Sequence, residues 1–339
     1  MHVSVIIPFR GDPATLSWVM DGFARQQMPE GWQLSVRILG DGCTPPQPDP
    51  PNPIFSISTH EWSGVSEAKN LLLTGVSTDA VIFVNADTRP DPGFVAAHLA
   101  RLQALGHGNM VLGAAPYDHT GPQTVFDVLK EESPMIFFYS RMKPLQWHDF
   151  RHAWTLNLSM WFDDYQKTGG FDKRLRPYGH EDIELAYRLM GDSRDVFYDP
   201  AAIVRHRHPM TFADYLNREE GLGLMGPVLR DVSPDVFERL FGTQDIDALA
   251  ADYRAWVKMD ALAHRWIWQR MDEWAEQPDG TLGNGKEREQ TLTLLYQMHI
   301  PLKRLAFRLG FLRGLELRDD AHWRERKPVG LWRTAAGIE

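Results

Sequence analysis

The stretch VIFVNADTRPDPGF, residues 81 to 94, begins as a continuous apolar run and stops abruptly at Asn85, Ala86 and Asp87. A run of this kind reads as a buried strand, and TRPDPGF then turns the chain into a helix. Asp87 is therefore presented at a sheet edge on a rigid support. A hard divalent cation bridging a diphosphate needs only one or two protein carboxylates, so a single acid here suits such a site; the alternative is that Asp87 caps its own turn.

Working outward, further short apolar runs occupy 3–8, 34–40, 54–58 and 110–115, separated by helix-like segments at 14–27, 65–74 and 92–105. That alternation predicts an α/β fold with a mainly parallel sheet covered by helices on both faces, which is why its strands are apolar throughout rather than alternating. Ligands in such sheets bind beyond the carboxyl ends of the strands. The polar words PFRGD, GDGCTP and NADTRPDP fall there, gathering Arg10, Asp12, Asp41 and Asp87 along one edge. The Pro-rich segment 43–53 reads as an extended surface loop. Past residue 210 the pattern changes to longer amphipathic helices, so the expected division is a catalytic domain at 1–210, with halves near 1–115 and 116–210, and a helical region at 211–339.

Composition narrows the function. A formal net charge of -9 over 339 residues argues against a general nucleic-acid binder. Cys43 is the only cysteine, which leaves no disulfide framework and no thiolate zinc site and suits a reducing compartment. The first apolar run is interrupted by Pro8 and Arg10 and is far too short for a signal or spanning segment. A cytoplasmic protein is expected, with membrane contact peripheral at most.

Two further words carry chemistry. In GGFDKRLRPYGHEDIELAYRLM, residues 169–190, Glu181 and Asp182 open a helix whose apolar face includes Ile183, Ala186, Tyr187 and Met190. Carboxylates at a helix N-terminus stay ionised and suit a general base, although acids are also preferred there as caps. In AAIVRHRHPMTF, residues 201–212, His206 and His208 share one face of an extended segment and Arg205 and Arg207 the other. An imidazole beside Asp87 would complete a manganese-type site of oxygen and nitrogen ligands; a structural His pair is the alternative.

Taken in order, VSVIIPFRGD, ILGDGCTP, GVSEAKNLLL, VIFVNADTRPDP, GGFDKRLRPYGHED and VRHRHP resemble the GT-A-fold glycosyltransferases, specifically family 2 of the nucleotide-sugar-dependent enzymes, over residues 1–212. The resemblance implies a Rossmann-like catalytic domain with a nucleotide pocket lined by Pro8, Phe9, Arg10 and Asp12, Asp41 reaching the base, and Lys69 meeting the diphosphate. It implies that Asn85, Ala86 and Asp87 form the donor-side acidic segment, and that Asp87 and His206 hold Mn2+ or Mg2+. Asp182 becomes the general base and Glu181 an orienting neighbour, with inversion at the anomeric carbon. The implied donor is a nucleoside-diphosphate sugar, UDP favoured, and the acceptor a hydroxyl of a glycan or lipid-linked molecule, as in polysaccharide biosynthesis. Three departures stand out: Asn85 and Gly40 replace acids, and Lys69 replaces Arg. They keep open a catalytically degenerate binding module; a nucleotidyltransferase is the other alternative, for which PFRGDPATL is a poor phosphate loop.

On the acceptor side, Trp154, Asn157, Gly179 and His180 are the candidate contacts, with Trp154 and Trp161 offering faces for a sugar ring or, equally, for the core. Segment 301–317 sets Leu302, Leu305, Ala306, Leu309 and Leu312 on one face amid Lys303, Arg304, Arg308 and Arg313. Such a helix packs on its own domain or lies on an anionic membrane. The Trp-rich stretch 253–274 reads as a core helix of the C-terminal region.

Overall fold

The computed structural model describes residues 1–191, 196–258 and 261–338. The strands are β1 (His2–Phe9), β2 (Gln33–Asp41), β3 (Phe55–His60), β4 (Ala80–Val84), β5 (Thr88–Pro90), β6 (Met110–Ala114), β7 (Gln146–His148), β8 (Asn157–Trp161) and β9 (Val196–His206). Helices α1 (Pro13–Ala24), α2 (Val65–Leu73), α3 (Phe94–Leu105), α4 (Val125–Glu132), α5 (Phe162–Thr168) and α6 (Glu181–Met190) are interleaved with them. Six more follow: α7 (Phe212–Val232), α8 (Pro234–Phe241), α9 (Ile246–Val257), α10 (Ala261–Ala275), α11 (Gly285–Glu316) and α12 (Leu331–Ala335).

The chain forms two compact units. The first comprises Met1–Asp118, Met142–Arg176 and Glu181–His208 and contains a mixed sheet in the order β3-β2-β1-β4-β8-β6-β9-β5, with β7 on β9. β2 pairs with β1 and β3, and β1 with β4, all in parallel; the burial of β1 and β4 fits strands covered on both faces, and α2 packs on β1 and β2. β8 enters antiparallel between β4 and β6, and β9 then runs parallel to β6. One step along β6, Gly113 to Ala114, spans four along β9, Asp199 to Ile203, and this bulge sets the register of the chain approaching His206.

The second unit comprises Pro209–Glu339 with His119–Arg141 and Pro177–His180, segments that the sequence reading groups with the first 210 residues. The apolar face of α4 explains the difference for the first of them: Val125, Phe126 and Leu129 are buried in one core with Phe212, Tyr215 and Trp268. Leu302, Leu305 and Ala306, the apolar face of 301–317, are fully buried in that same core. These three residues are spent on internal packing, the alternative to the membrane-facing reading, while Leu309 and Leu312 of the same face are half-buried. No helix among the described residues is long and apolar enough to cross a membrane.

Candidate active site

β1, β2 and β4 end at Phe9, Asp41 and Val84 on one edge of the sheet. Because β8 runs against them, its start belongs to the same edge, and Val84 pairs with Asn157. β6 and β9 run with β4, so Ala114 and His206 also finish there. The edge foreseen from the polar words is thus built.

At this edge the carbonyl of Asn85 accepts hydrogen bonds from Thr88 N–H (3.2 Å) and Thr88 Oγ1 (2.7 Å), which closes the turn that exposes Asp87. β5 then pairs with β9, Thr88 opposite His206, and Arg207 N–H donates to the Asp87 carbonyl at 2.8 Å. The result places Asp87 Oδ2 2.9 Å from His208 Nδ1 and 3.4 Å from His206 Nε2. Burial works to raise the Asp87 pKa, but the imidazoles of His206 and His208 outweigh it and hold the carboxylate well below the usual range. Asp87 Oδ1 is shut off from solvent with no hydrogen-bond partner among the described residues.

These three side chains form the group suited to a metal among the described residues, their ligand atoms within 4.8 Å of one another. The donor set of one carboxylate and two imidazoles fits a Mn2+-like ion, and the spacings approach the roughly 3 Å expected between neighbouring ligand atoms around a small octahedral ion. His208 extends the pair read from sequence. Its signal was the His-x-His alternation, and the extended segment at the end of β9 brings both rings to Asp87. The segment is held from its other face, where the Arg207 guanidinium lies 3.8 Å over Trp18 and 2.6 Å from Asp118.

Asp182 lies at the start of α6, partly exposed, its Oδ2 accepting from Thr155 N–H at 3.3 Å and its Oδ1 from Ile183 N–H at 2.9 Å. Its pKa is raised to about 7, by burial first and then by the charge of Glu181, against the opposing charge of Lys69. Such a carboxyl exchanges a proton near neutral pH. Two expectations are corrected here. Lys69 does not reach toward a diphosphate: it is buried, and its Nζ donates to Thr155 Oγ1 at 2.7 Å and Glu181 Oε1 at 3.0 Å. Glu181 is likewise buried and ion-paired, so it does not face an acceptor. A buried carboxylate requires a countercharge, and Lys69 is the one within reach.

The nucleotide-side residues separate into two groups. Pro8, Asn85 and Ala86 are half-buried at the edge, and Arg10 is exposed with its guanidinium 4.2 Å over the Trp62 ring. Asp12 is exposed but serves as the cap of α1, accepting from Thr15 N–H at 2.8 Å. Phe9 is a core residue and not a pocket wall. Asp41 does not point to a base, since its buried carboxylate accepts from Ser63 N–H (2.6 Å) and Gly64 N–H (3.0 Å) and so anchors the entry to α2. The Gly40 departure has a packing cause: a Cβ there would lie 2.1 Å from the Cys43 carbonyl, where the Pro-rich loop folds back.

The acceptor-side residues occupy different environments, and two of them, Asn157 and Trp154, are enclosed. Asn157 is fully buried, its amide donating to the carbonyls of Ala114 and Ala202 at 2.9 Å each, which leaves nothing for an acceptor. Trp154 is buried beside His152, with ring centroids 5.5 Å apart. Trp161 pairs with Ala80, at the opposite edge of the sheet. Gly179 and His180 belong to the second unit, both with positive φ, and His180 Nε2 lies 3.1 Å from the Leu222 carbonyl.

No family model matches the chain. It is 27% identical over 216 residues to validoxylamine A glucosyltransferase of Streptomyces hygroscopicus subsp. limoneus, covering 55% of this chain and 47% of that protein. It is 30% identical over 146 residues to the validoxylamine A glucosyltransferase of S. hygroscopicus subsp. jinggangensis (strain 5008), covering 37% of this chain and 35% of that protein. The chain thus spans under half the length of these relatives. Among solved structures, the mannosyltransferase PcManGT from Pyrobaculum calidifontis, in complex with GDP-Man and Mn2+, superposes with a TM-score of 0.50 at 14% identity over 94% of this chain and 86% of that one. The fold is of the GT-A type.

Proposed function

We propose that this protein is an inverting, metal-assisted glycosyltransferase of the family 2 type, moving a sugar from a nucleoside-diphosphate donor, UDP favoured, to a hydroxyl acceptor. The observation that carries the reading is the Asp87, His206 and His208 cluster at the same sheet edge as Asp182. The names of the two relatives support a glucosyl group as the one transferred.

Asp182 accepts the proton of the acceptor hydroxyl as its oxygen attacks the anomeric carbon. The new C–O bond forms on the face opposite the diphosphate, and the old one breaks with its electron pair leaving on the nucleoside diphosphate. In this step the carboxylate at 182 receives the proton late, when the hydroxyl has become acidic. Arg10, exposed at the end of β1, supplies a positive charge on the nucleotide side. A divalent cation, Mn2+ or Mg2+, held by Asp87, His206 and His208 would offset the diphosphate charge. The Asp87 carboxylate is already ionised and aligned for that role.

Calorimetric titration with UDP, GDP and dTDP, with and without Mn2+, tests the proposal. Metal-dependent binding of one nucleotide that is lost in Asp87→Ala supports it and narrows the donor. Absence of binding under either condition overturns it, and binding without transfer from any sugar donor favours a catalytically silent nucleotide-sugar module.

A further inference from the structure

Beneath the proposed base lies a charged group that the transfer step does not itself use. The Lys69 side chain is 2% exposed and that of Glu181 4%, with Nζ and Oε1 3.0 Å apart. Nζ also donates to Thr155 Oγ1 at 2.7 Å, and the main-chain N–H of the same Thr155 donates to Asp182 Oδ2 at 3.3 Å. Lys69 is thus linked to Asp182 by two indirect routes, through the neighbouring carboxylate and through the residue that holds one of its oxygens.

We infer that Lys69 is a positioning residue for Asp182: it pairs the charge of Glu181 and anchors Thr155, and so holds the Asp182 carboxyl in place. The inference rests on the reading of Asp182 as the base. Adjacent carboxylates in a poorly hydrated site do not both ionise readily, and without a cation the pair retains a proton. The charges acting on Asp182 are Glu181, from its own helix, and Lys69, from α2. α5 and the 150–152 turn also pack on α6, but their cations are engaged elsewhere: Lys167 with Asp164, Arg151 and His152 with Asp149. Arg188, on α6 itself, pairs with Glu184. The direction of the Asp182 shift, up through burial and Glu181 and down through Lys69, agrees with this arrangement.

The test follows proton uptake by carbon-13 NMR of the full chain labelled at Asp and Glu carboxyls, with the Asp182 signal assigned by its loss in Asp182→Asn. Lys69→Met should raise the midpoint by about one pH unit or more, the usual effect of losing a close opposite charge. Lys69→Arg should hold it in place. Lys69→Met with Glu181→Gln should bring it back toward that of the parent chain, which a merely structural lysine would not do. UDP affinity in the presence of Mn2+ should be unchanged by Lys69→Met; a loss of about tenfold with an unmoved midpoint would return Lys69 to the diphosphate and overturn the inference. If Lys69→Met does not fold, the double variant, which strands no buried charge, decides, and a midpoint raised by a full unit in it refutes the proposal. Failure of the underlying reading is seen separately, as sugar transfer that survives Asp182→Asn.

Discussion

Thr88 and His206 face each other in the antiparallel ladder of β5 and β9, and this pairing sets the His206 imidazole 3.4 Å from the carboxylate of Asp87. The pairing brings the end of β9 against the turn that carries Asp87, and the three proposed ligands should act as a unit. Asp87→Asn, His206→Ala and His208→Ala are each expected to lower Mn2+ affinity by more than about tenfold. Arg205→Ala, on the other face of the strand and paired with Asp91, should leave it unchanged. Electron paramagnetic resonance of free Mn2+ during titration reads this without any turnover.

The raised pKa of Asp182 fixes the sense of the pH profile. A base must be deprotonated to act, so the transfer rate should climb as pH rises through about 7 and level off above it. Asp182→Asn removes the proposed base and should reduce transfer by about 10²- to 10⁴-fold while nucleotide binding persists. A rate that stayed flat from pH 5 to 9 would exclude Asp182 from proton transfer.

Asn157 is the centre of a buried relay. Its amide nitrogen serves the Ala114 and Ala202 carbonyls, so its Oδ1 accepts from His98 Nε2–H at 2.7 Å, and His98 Nδ1 in turn accepts from the Ser159 hydroxyl at 2.8 Å. Asn157→Leu leaves these partners unsatisfied at the β9 bulge and should cost about 3 kcal/mol or more in urea denaturation.

The same relay makes stability depend on pH. Burial lowers the His98 pKa to about 4, opposed more weakly by its bond to Asn157. Between pH 6.5 and about 4 the unfolded chain therefore binds a proton that the folded chain refuses, and stability should fall as pH falls through this window, by up to about 3 kcal/mol. His98→Gln should flatten the dependence in urea midpoints recorded across it.

In the second unit, α7 and α11 cross at glycine contacts. A Cβ on Gly310 would lie 2.0 Å from the Glu220 carbonyl, and one on Gly223 2.0 Å from that of Phe307. Because the obstructing atoms are backbone, neither helix can yield by a rotamer change. Gly310→Ala should destabilise the protein by about 3 kcal/mol or prevent folding, measured by thermal melting, whereas Gly280→Ala, which meets nothing within 4 Å, should be mild.

The sequence by itself determined the parts that depend on local patterning. The unbroken apolar runs of β1 and β4, the helix opening at Glu181 and the alternation of His206 and His208 are all short-range properties of the chain, and they sufficed to predict the layered fold, the edge that carries Asp87 and the neighbouring ring of His206. The antiparallel entry of β8 between β4 and β6 was decided only in three dimensions, since a buried strand has the same apolar character in either direction. So was the fate of the polar residues. Nothing beside Lys69 in the sequence shows that its partner is Glu181, 112 positions away, nor that Asn157 is enclosed by His98, Ala114 and Ala202. Whether a polar side chain faces solvent or is buried depends on which distant groups satisfy its hydrogen bonds and charge, and those groups meet only when the tertiary structure closes around them.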